Sequence, residues 1–509
     1  MDPISLQNST TSNLLRISGL ASGIDTDSIV KQLMTAASQP LYELEQQKQW
    51  LQWQQEDLQD INTKLLSLRD NTLFKMKLQG TYLAKTVSSN TSIATATAGV
   101  NAVNGTYTLN VNQLATGATS ASTSAIGAYD SSSNSYKTYN TSDITNIYLN
   151  GVQVFKNINQ STVTINDIVS AINSASSTTH VNATYDTTTD RLFLITNSTG
   201  SNAKIDFSGT DSTGLNFLTN TLKLNTSTVT GTDASFSFNG VNMTTSTNNV
   251  SVAGININLT GQGYTTLSVQ TDTDTIYNSI KSFVDAYNDV ITQINSKLTE
   301  ERYYDYKPLT DAQKEQMKDS DITLWEQKAR SGDLNGNSTL TSIYYSLRNA
   351  ISGTVTASDG TKMTLSSIGI TTGQWYEGGK LYIDDTKLKD AIQNNPQEVM
   401  DLFTKITEST TDVNATPGSS SSDGIAARLY YIVNNGINSI TQEAGGGQYQ
   451  LYDNSFLGQQ INDLNQRMSD MQDHLNTLEQ QYYNQFTQLE TYMSQMNSQS
   501  QWLSQQLSG

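Results

Sequence analysis

The chain contains no cysteine, two histidines and five prolines among its 509 residues. Without cysteine it cannot form disulfide bonds, thiolate metal sites or a cysteine nucleophile. The histidines, His180 and His474, are far apart in the sequence, and neither belongs to a recognisable catalytic motif. No phosphate-binding loop or dinucleotide signature occurs in a suitable context. The sequence therefore predicts a protein that has no cofactor or metal ion and is not an enzyme.

Charged residues are also scarce, at 15% of the chain, yet the net charge is -18 because 47 Asp and Glu outnumber 29 Lys and Arg. An acidic chain without a concentrated basic patch repels phosphate, so we expect no nucleic-acid partner. No apolar run reaches the roughly 18 residues that would span a membrane, so we expect no membrane span. Residues 1–13 lack the basic start and apolar stretch of a secretory signal, which predicts no cleaved signal peptide.

The low charge density is concentrated in the middle of the chain. Residues 91–270 contain 13 charged residues and neither Glu nor Trp. Apolar and polar residues alternate there with a period of two, as in residues 107–111, a pattern typical of β strands. The Asn-Gly pairs at 150–151 and 239–240 predict hairpin turns, because Asn and Gly tolerate the positive φ that a tight turn requires. The middle region is therefore predicted to form β-rich modules.

Both ends of the chain carry the apolar heptads of long helices, with a break at Pro40 in the N-terminal one. A helix from Gln459 to Leu507 would be roughly 70 Å long, and a narrow stripe on such a helix needs a partner. We predict a coiled-coil or oligomer interface at these heptad positions. The predicted interface residues are Leu44, Leu51, Leu58, Leu65, Ile461, Leu464, Met468, Met471, Leu475, Leu478, Tyr482, Leu489, Tyr492 and Met496.

The partner of each stripe remains open at this stage. Each stripe could cover the core of its own domain as an ordinary amphipathic helix. The two ends could instead pair with each other, since a chain that leaves along one helix and returns along another forms an antiparallel pair. Partner chains could also contribute, because heptads pair equally well between molecules.

One short motif has the spacing of a calcium-binding loop. Asp333, Asn335 and Asn337 occupy alternate positions, as the first ligands of such a loop do. However, Ser338 stands where the loop requires glycine, and Tyr344 stands where it requires glutamate. We therefore predict a turn that caps the following helix instead of a metal site.

Three segments resemble a known protein family. Residues 18–30, with the sequence SGLASGIDTDSIV, resemble the N-terminal signature of the bacterial flagellar filament cap proteins, also called the flagellar hook-associated protein 2 family. Residues 147–207 resemble the small β module that is repeated in flagellin and hook-associated proteins. Residues 451–507 are similar to the C-terminal helix of the family. Together these segments indicate a protein of the bacterial flagellum.

The resemblance implies a structural cap at the distal tip of the filament. Such a cap forms a homo-oligomeric ring, often of five subunits, promotes folding and insertion of flagellin and prevents its leakage. The implied partners are further copies of the chain, flagellin, the filament tip or hook-associated junction proteins, and a type III export chaperone. The implied location is extracellular, reached through the flagellar type III channel without a cleaved signal. Two alternatives remain: an adhesin whose exposed β modules bind a host surface, and another axial filament or junction protein.

The predicted fold class is α+β and multidomain, with coiled-coil helices at both ends, a helical body, and β-rich modules inserted between them. The predicted domains are a flexible export segment at 1–24, an N-terminal coiled-coil part at 25–85, a discontinuous β-rich domain at 86–125 and 231–272, an inserted flagellin-type β module at 126–230, a helical body with a small β hairpin at 273–447, and a C-terminal coiled-coil helix at 448–509.

Overall fold

The computed structural model describes residues 23, 25–155, 160–406, 418, 420–446 and 453–507. The chain forms two compact units. The first combines residues 1–79 with residues 278–509, and the second consists of residues 80–277. Helices lie at both ends of the chain and β modules lie between them in sequence, so the predicted α+β multidomain class is confirmed.

The first unit begins with helices α1 (Thr26–Ala37) and α2 (Gln39–Ser67). Asp25 caps α1 by accepting a hydrogen bond from the Ser28 amide at 3.1 Å, which satisfies one of the donors left free at a helix start. Pro40 lies in the first turn of α2, where its missing N–H removes no helical hydrogen bond. The predicted break at Pro40 is therefore confirmed.

Helix α2 continues through a π-helical turn at Leu68–Leu73 into α3 (Phe74–Met76). A π turn accommodates an extra residue and so rotates the face that follows it. Leu68, Leu73 and Met76 are consequently all buried, although their spacing departs from the preceding heptads.

The second unit consists mainly of short strands. In chain order they are β1 (Lys85–Ser88), β2 (Ala94–Ala98), β3 (Gly105–Gln113), β4 (Thr119–Ala121), β5 (Tyr129–Asp130), β6 (Ser135–Tyr136), β7 (Thr138–Asn140), β8 (Tyr148–Leu149), β9 (Val152–Gln153), β10 (Thr162–Thr164), β11 (Val181–Asp186), β12 (Arg191–Thr196), β13 (Lys204–Ile205), β14 (Val229–Thr230), β15 (Ala234–Phe238), β16 (Val241–Thr245), β17 (Asn249–Val252), β18 (Ile255–Leu259) and β19 (Gly263–Thr271). Three helices accompany them: α4 (Ile165–Ser174), α5 (Ser176–Thr179) and α6 (Ser212–Asn216).

One core of the second unit lies between two antiparallel sheets. Their strand orders are β1–β19–β3–β15–β16 and β17–β18–β2. Leu109, Phe236 and Ile257 face this core, while the alternate positions carry polar residues toward solvent. Strands β15 and β16 form a hairpin across Asn239 and Gly240, both at positive φ, which confirms the turn predicted there.

A separate core is formed by the segment between β4 and β14. Helix α4 packs Ile168 and Ile172 against the β11–β12 hairpin, which contributes Val181 and Leu194. A capping box between Thr164 and the third residue of α4 fixes the start of this helix. The β8–β9 hairpin turns at Asn150 and Gly151, both at positive φ, which confirms the turn predicted there.

The chain then returns to the first unit through helices and short hairpins. The helices are α7 (Thr273–Thr299), α8 (Asp311–Lys314), α9 (Asp319–Arg330), α10 (Ser338–Ser352), α11 (Asp385–Asn394), α12 (Pro396–Thr404), α13 (Ile425–Ala444) and α14 (Phe456–Leu507). The strands are β20 (Val355–Thr356), β21 (Lys362–Met363), β22 (Ile370–Thr372) and β23 (Leu381–Ile383). Helix α9 has no pronounced apolar face, because Ala329 is its one buried residue.

The turn predicted after Asp333 is confirmed as a helix cap. The side chain of Asn337 accepts a hydrogen bond from the Leu340 amide at 2.9 Å and so caps α10. The predicted export segment at 1–24 lies outside the described residues, apart from residue 23. Residues 407–417 and 419 also lie outside them.

Candidate functional site

The second half of α2 runs antiparallel to α13. Gln59 donates to the carbonyl of Ala444 at 2.7 Å, and Asn62 donates to Thr441 at 3.3 Å. In the π-helical turn that continues α2, Arg69 donates to Asn434 at 3.0 Å. As the residue number rises along α2, it falls along α13, which fixes the direction. Helix α13 therefore supplies the partner of α2 beyond its midpoint.

Near the middle of α2, α14 replaces α13 as the helix that packs against it. The Gln55 amide donates to the carboxylate of Asp453, just before α14 begins, at 2.5 Å. From there α14 packs against α2 and then against α1, so it proceeds backwards along the N-terminal helices. Ser455 caps its start by accepting a hydrogen bond from the Gly458 amide at 3.1 Å. At 52 residues, the helix is about 78 Å long.

The fourteen predicted interface residues differ widely in burial. Buried within the first unit are Leu44, Leu58, Leu65, Leu464 and Leu475. Half-buried are Leu51, Ile461, Met468, Met471, Leu478 and Tyr482, whereas Leu489, Tyr492 and Met496 are exposed. Leu58 and Leu65 belong to the part of α2 that runs along α13. The structure therefore brings eleven of these residues into the packing of the first unit and leaves three outside it, and their role between subunits stays a prediction.

An open cleft lies at the base of α14, between the first turns of that helix, α2 and the loop after α7. Its volume is about 940 Å³, and we call it the aromatic cleft. Trp50, Tyr303, Tyr304, Tyr306 and Phe456 supply aromatic rings to it. Periodicity could not have found it, because three of these rings belong to a loop. Their clustering within residues 303–306 is the signal in the sequence.

A guanidinium is held between two of these rings. The Arg302 side chain lies 4.4 Å from the ring centre of Trp50 and 4.9 Å from that of Tyr304. Stacking of this kind orients the cation without neutralising it. Lys307 and Arg467 also line the aromatic cleft, against the two carboxylates of Glu43 and Asp463. The cleft therefore combines apolar faces with a small excess of positive charge.

A charge cluster links α2 to α7 and α9. It is composed of Asp57, Lys297, Arg330 and Asp333, and we call it the buried charge cluster. Asp57 accepts hydrogen bonds from Lys297 and from Arg330. Burial would raise the pKa of Asp57, but these two hydrogen bonds and charges outweigh burial, so its pKa is lowered.

Asp333 titrates in the opposite direction from Asp57. Its side chain is fully buried, and its nearest cation is Lys297, whose Nζ lies 3.9 Å from Oδ1. Neither carboxylate oxygen has a hydrogen-bond partner among the described residues. Burial, followed by the negative charge of Asp57, raises the pKa of Asp333 to about 7.

Within the described ranges, no three His, Asp or Glu side chains come together as potential metal ligands. Of the helices in the same ranges, none combines the length and the apolar character needed to cross a membrane. Two surfaces of the first unit are candidates for binding a partner: the exposed end of α14 and the aromatic cleft.

Comparison with known proteins identifies three matching family descriptions. "Flagellar hook-associated protein 2 C-terminus" matches residues 231–498, and "Flagellar hook-associated protein 2 N-terminus" matches residues 22–118. "Flagellin hook IN motif" matches residues 146–199, the segment that contains α4 and the β11–β12 hairpin. The matches cover both units and follow one another along the chain as the resemblance in the sequence implied.

Curated relatives extend over nearly the whole chain. The flagellar hook-associated protein 2 of Halalkalibacterium halodurans is 31% identical, with 95% of this chain and 98% of that protein aligned. The protein of the same name from Thermotoga maritima is 25% identical over 97% of this chain and 96% of its own. A solved structure of the flagellar cap protein FliD D1-D2-D3 domains from Escherichia coli has 22% identity and a TM-score of 0.49, covering 80% of this chain and 99% of that one.

The C-terminal family description alone spans more than half of the chain. The relative from Halalkalibacterium halodurans agrees with it from end to end at more than 30% identity. The chain therefore belongs to the flagellar hook-associated protein 2 family.

Proposed function

We propose that this protein caps the distal tip of the flagellar filament as a homo-oligomeric ring of five subunits. In that position it promotes folding and insertion of flagellin and prevents its leakage, so that the filament can elongate. The observation that carries the proposal is the alignment of 95% of the chain with a flagellar hook-associated protein 2. The 52-residue helix α14, whose last turns are exposed in the part of the chain that the structure describes, supports it.

The proposed location is extracellular, at the filament tip, and is reached by type III export without a cleaved signal. The proposed partners are flagellin, the filament tip or the hook-associated junction proteins, and an export chaperone. Export through a narrow channel requires an unfolded chain, and a chain without cysteine forms no disulfide that would obstruct it.

In the proposed mechanism, the end of α14 acts as a leg that contacts the filament. Leu489, Tyr492 and Met496 are exposed on this end and supply apolar contacts. A single helix in water is only marginally stable, so contacts of this kind can form and break as each flagellin subunit is added. The described base of α14 is held by α1 and α2, which would anchor the leg to its subunit.

Deletion of the encoding gene tests the cap proposal. We expect monomeric flagellin to accumulate in the medium and filaments to be few or short, and we expect the wild-type chain to restore both phenotypes. Quantitative immunoblotting of flagellin in the medium and electron microscopy of filaments provide the measurements. Filaments of normal length in the deletion strain would contradict the proposal.

A second candidate function, adhesion to a host surface, is favoured by the outer face of the β17–β18–β2 sheet. The exposed residues of this face are uncharged: Thr95, Thr97, Asn249, Ser251, Asn256 and Asn258. Such a face offers hydrogen-bond donors and acceptors and does not repel an anionic cell surface. Adding charge through Asn256→Asp and Asn258→Asp should reduce binding of the whole protein to cultured epithelial cells. Equal binding by variant and wild type would argue against this role.

A further inference from the structure

Strand β16 forms one edge of the five-stranded sheet in the second unit, with β15 as its neighbour. A two-residue turn joins these strands, so Phe238 and Val241, which close the turn, exchange backbone hydrogen bonds. Bonded and unbonded pairs alternate along an antiparallel ladder, so Met243 also bonds to β15. The backbone N–H and C=O groups of Asn242 and Thr244 consequently point outward from the edge, away from β15.

These four outward groups are available to a further strand. Nothing in the part of the chain that the structure describes donates to them or accepts from them. Natural proteins usually block such an edge with lysine, proline or a bulge, because it is a template for pairing. Strand β16 contains neither lysine nor proline and pairs with β15 in an unbroken register. The opposite edge of the sheet differs, since β1 begins at Lys85 and lies against β2.

The surroundings of β16 in the sequence carry no charge. Residues 234–271, which include strands β15 to β19, contain no Asp, Glu, Lys or Arg, although the net charge of the whole chain is -18. Copies of so acidic a chain repel each other wherever their carboxylates approach closely. A strand from an uncharged segment lets two copies meet without bringing like charges together, which favours a second copy as the partner.

The side chains of β16 also favour the addition of a strand. Val241 and Met243 lie on the same face of the sheet as the buried Phe236 and Phe238. Val241 is nevertheless 58% exposed, because it belongs to the last strand of the sheet. A strand placed beside β16 would remove part of this apolar surface from water, which is favourable.

We propose that β16 pairs with the β16 strand of a second copy of this chain, antiparallel and around a two-fold axis. In the register centred on Met243, Asn242 of each copy faces Thr244 of the other. This register uses every outward group of both strands, in four backbone hydrogen bonds. The contact is isologous, whereas the contacts that close a ring are heterologous, so the inference is independent of the proposed cap ring.

A single introduced cysteine tests the contact in the full-length protein, because the chain contains no cysteine of its own. Met243→Cys places one thiol opposite its equivalent, in an unbonded pair whose Cα atoms are about 4.5 Å apart, a distance that a disulfide spans. Mild oxidation should therefore yield a disulfide-linked dimer, measured on a non-reducing gel. In Asn242→Cys the two thiols belong to residues about 8 Å apart, so the dimer yield should be at least tenfold lower.

A proline tests whether the backbone of β16 makes the contact. Thr244→Pro, added to Met243→Cys, removes one outward N–H from each copy and leaves the hydrogen bonds to β15 intact. Thr244→Val, added to the same cysteine variant, keeps the N–H and is the matched control. We expect the dimer yield to fall at least tenfold with proline and to stay unchanged with valine. Circular dichroism and thermal unfolding establish that each variant is folded.

A folded Met243→Cys protein that stays monomeric across a concentration series would overturn the proposal. So would an equal dimer yield from Ser251→Cys, an exposed position on β17, because it would indicate random collision. A dimer yield that proline at position 244 does not lower would exclude backbone pairing. Finally, a photo-crosslinking residue at position 243 should capture a second copy of the chain, and capture of flagellin instead would assign the edge to a different partner and refute the pairing.

Discussion

Arg330 Nη2 lies 2.5 Å from Asp57 Oδ1 and so joins α9 to the middle of α2. Lys297, near the C-terminal end of α7, binds the other carboxylate oxygen of the same aspartate. Arg330 also pairs with Glu56 at 3.0 Å, on the more exposed side of α2. One buried carboxylate therefore connects three helices that are widely separated in sequence.

Asp57→Asn should destabilise the first unit by about 2 to 3 kcal/mol. The substitution leaves two cations without their shared anion, and loss of one partner from a fully buried pair costs about 3 to 5 kcal/mol. The lower value applies because the Lys297 and Arg330 side chains are partly exposed. Urea unfolding followed by tryptophan fluorescence measures the effect, since all five tryptophans belong to the first unit. Asp60→Asn, an exposed change on the same helix, serves as the control and should stay within about 0.5 kcal/mol.

The raised pKa of Asp333 predicts that the folded protein loses stability as the pH rises. Its pKa of about 7 in the folded protein is above the ordinary 3.8, so between these values the folded state holds a proton that the unfolded state has lost. The free energy of unfolding should therefore fall by up to about 1.4 kcal/mol per pH unit within that window, and level off above pH 7.

Asp333→Asn isolates this contribution from other titrating groups. Asp57, whose pKa is lowered, changes stability in the opposite direction and is present in both proteins. The free energy of unfolding of the wild type should therefore fall between pH 5 and pH 8, whereas that of the variant should not show this fall. Urea unfolding of both proteins at the two pH values measures the difference. A difference between the two proteins that does not change with pH would show that Asp333 ionises normally.

Leu475→Asp should detach the outer part of α14 from its partners. Leu475 is buried, and a charge placed there cannot be paired or solvated without separating the helices. We expect loss of swimming motility, with the fold of the second unit retained in circular dichroism and limited proteolysis. Asn476→Asp adds the same charge at the exposed neighbouring position and should be tolerated. Normal motility of the Leu475→Asp strain would show that this packing is dispensable.

The second unit should be removable without unfolding the first. Lys85 of β1 pairs with Thr271 of β19, and the Asp272 amide donates to the Ala84 carbonyl at 2.9 Å, so the chain enters and leaves this unit on adjacent strands. Replacing residues 86–270 with an Asn-Gly turn keeps that spacing. Tryptophan-detected unfolding should change by less than about 1 kcal/mol. Loss of helical signal in the shortened protein would contradict the independence of the two units.

The helices and hairpins could be predicted because their signals are local. Heptads, Pro40 and the Asn-Gly pairs act over a few residues, and the structure follows them. The partner of each helix could not be predicted in this way. The apolar stripe of α13 is as suitable for Leu58 and Leu65 as that of α14, and only the three-dimensional path assigns α13 to the second half of α2.

The candidate surfaces were predictable only in part. The exposed stripe at Leu489, Tyr492 and Met496 was evident from spacing. The aromatic cleft and the buried charge cluster were not, because they join residues that lie hundreds of positions apart. Asp57 and Asp333 illustrate the difficulty: no sequence pattern states that two carboxylates will face the same lysine.

The length of α14 amplifies any tilt of the helix at its base. From the half-buried Tyr482 to Leu507, α14 continues for 25 residues, or about 37 Å. By simple geometry, each degree of tilt at Tyr482 displaces the end of this segment by about 0.7 Å. A tilt of about five degrees in the packing around Leu464 and Leu475 would thus move the far end by about 3 Å, the length of a hydrogen bond. Small changes at the base of the helix become large displacements at its end.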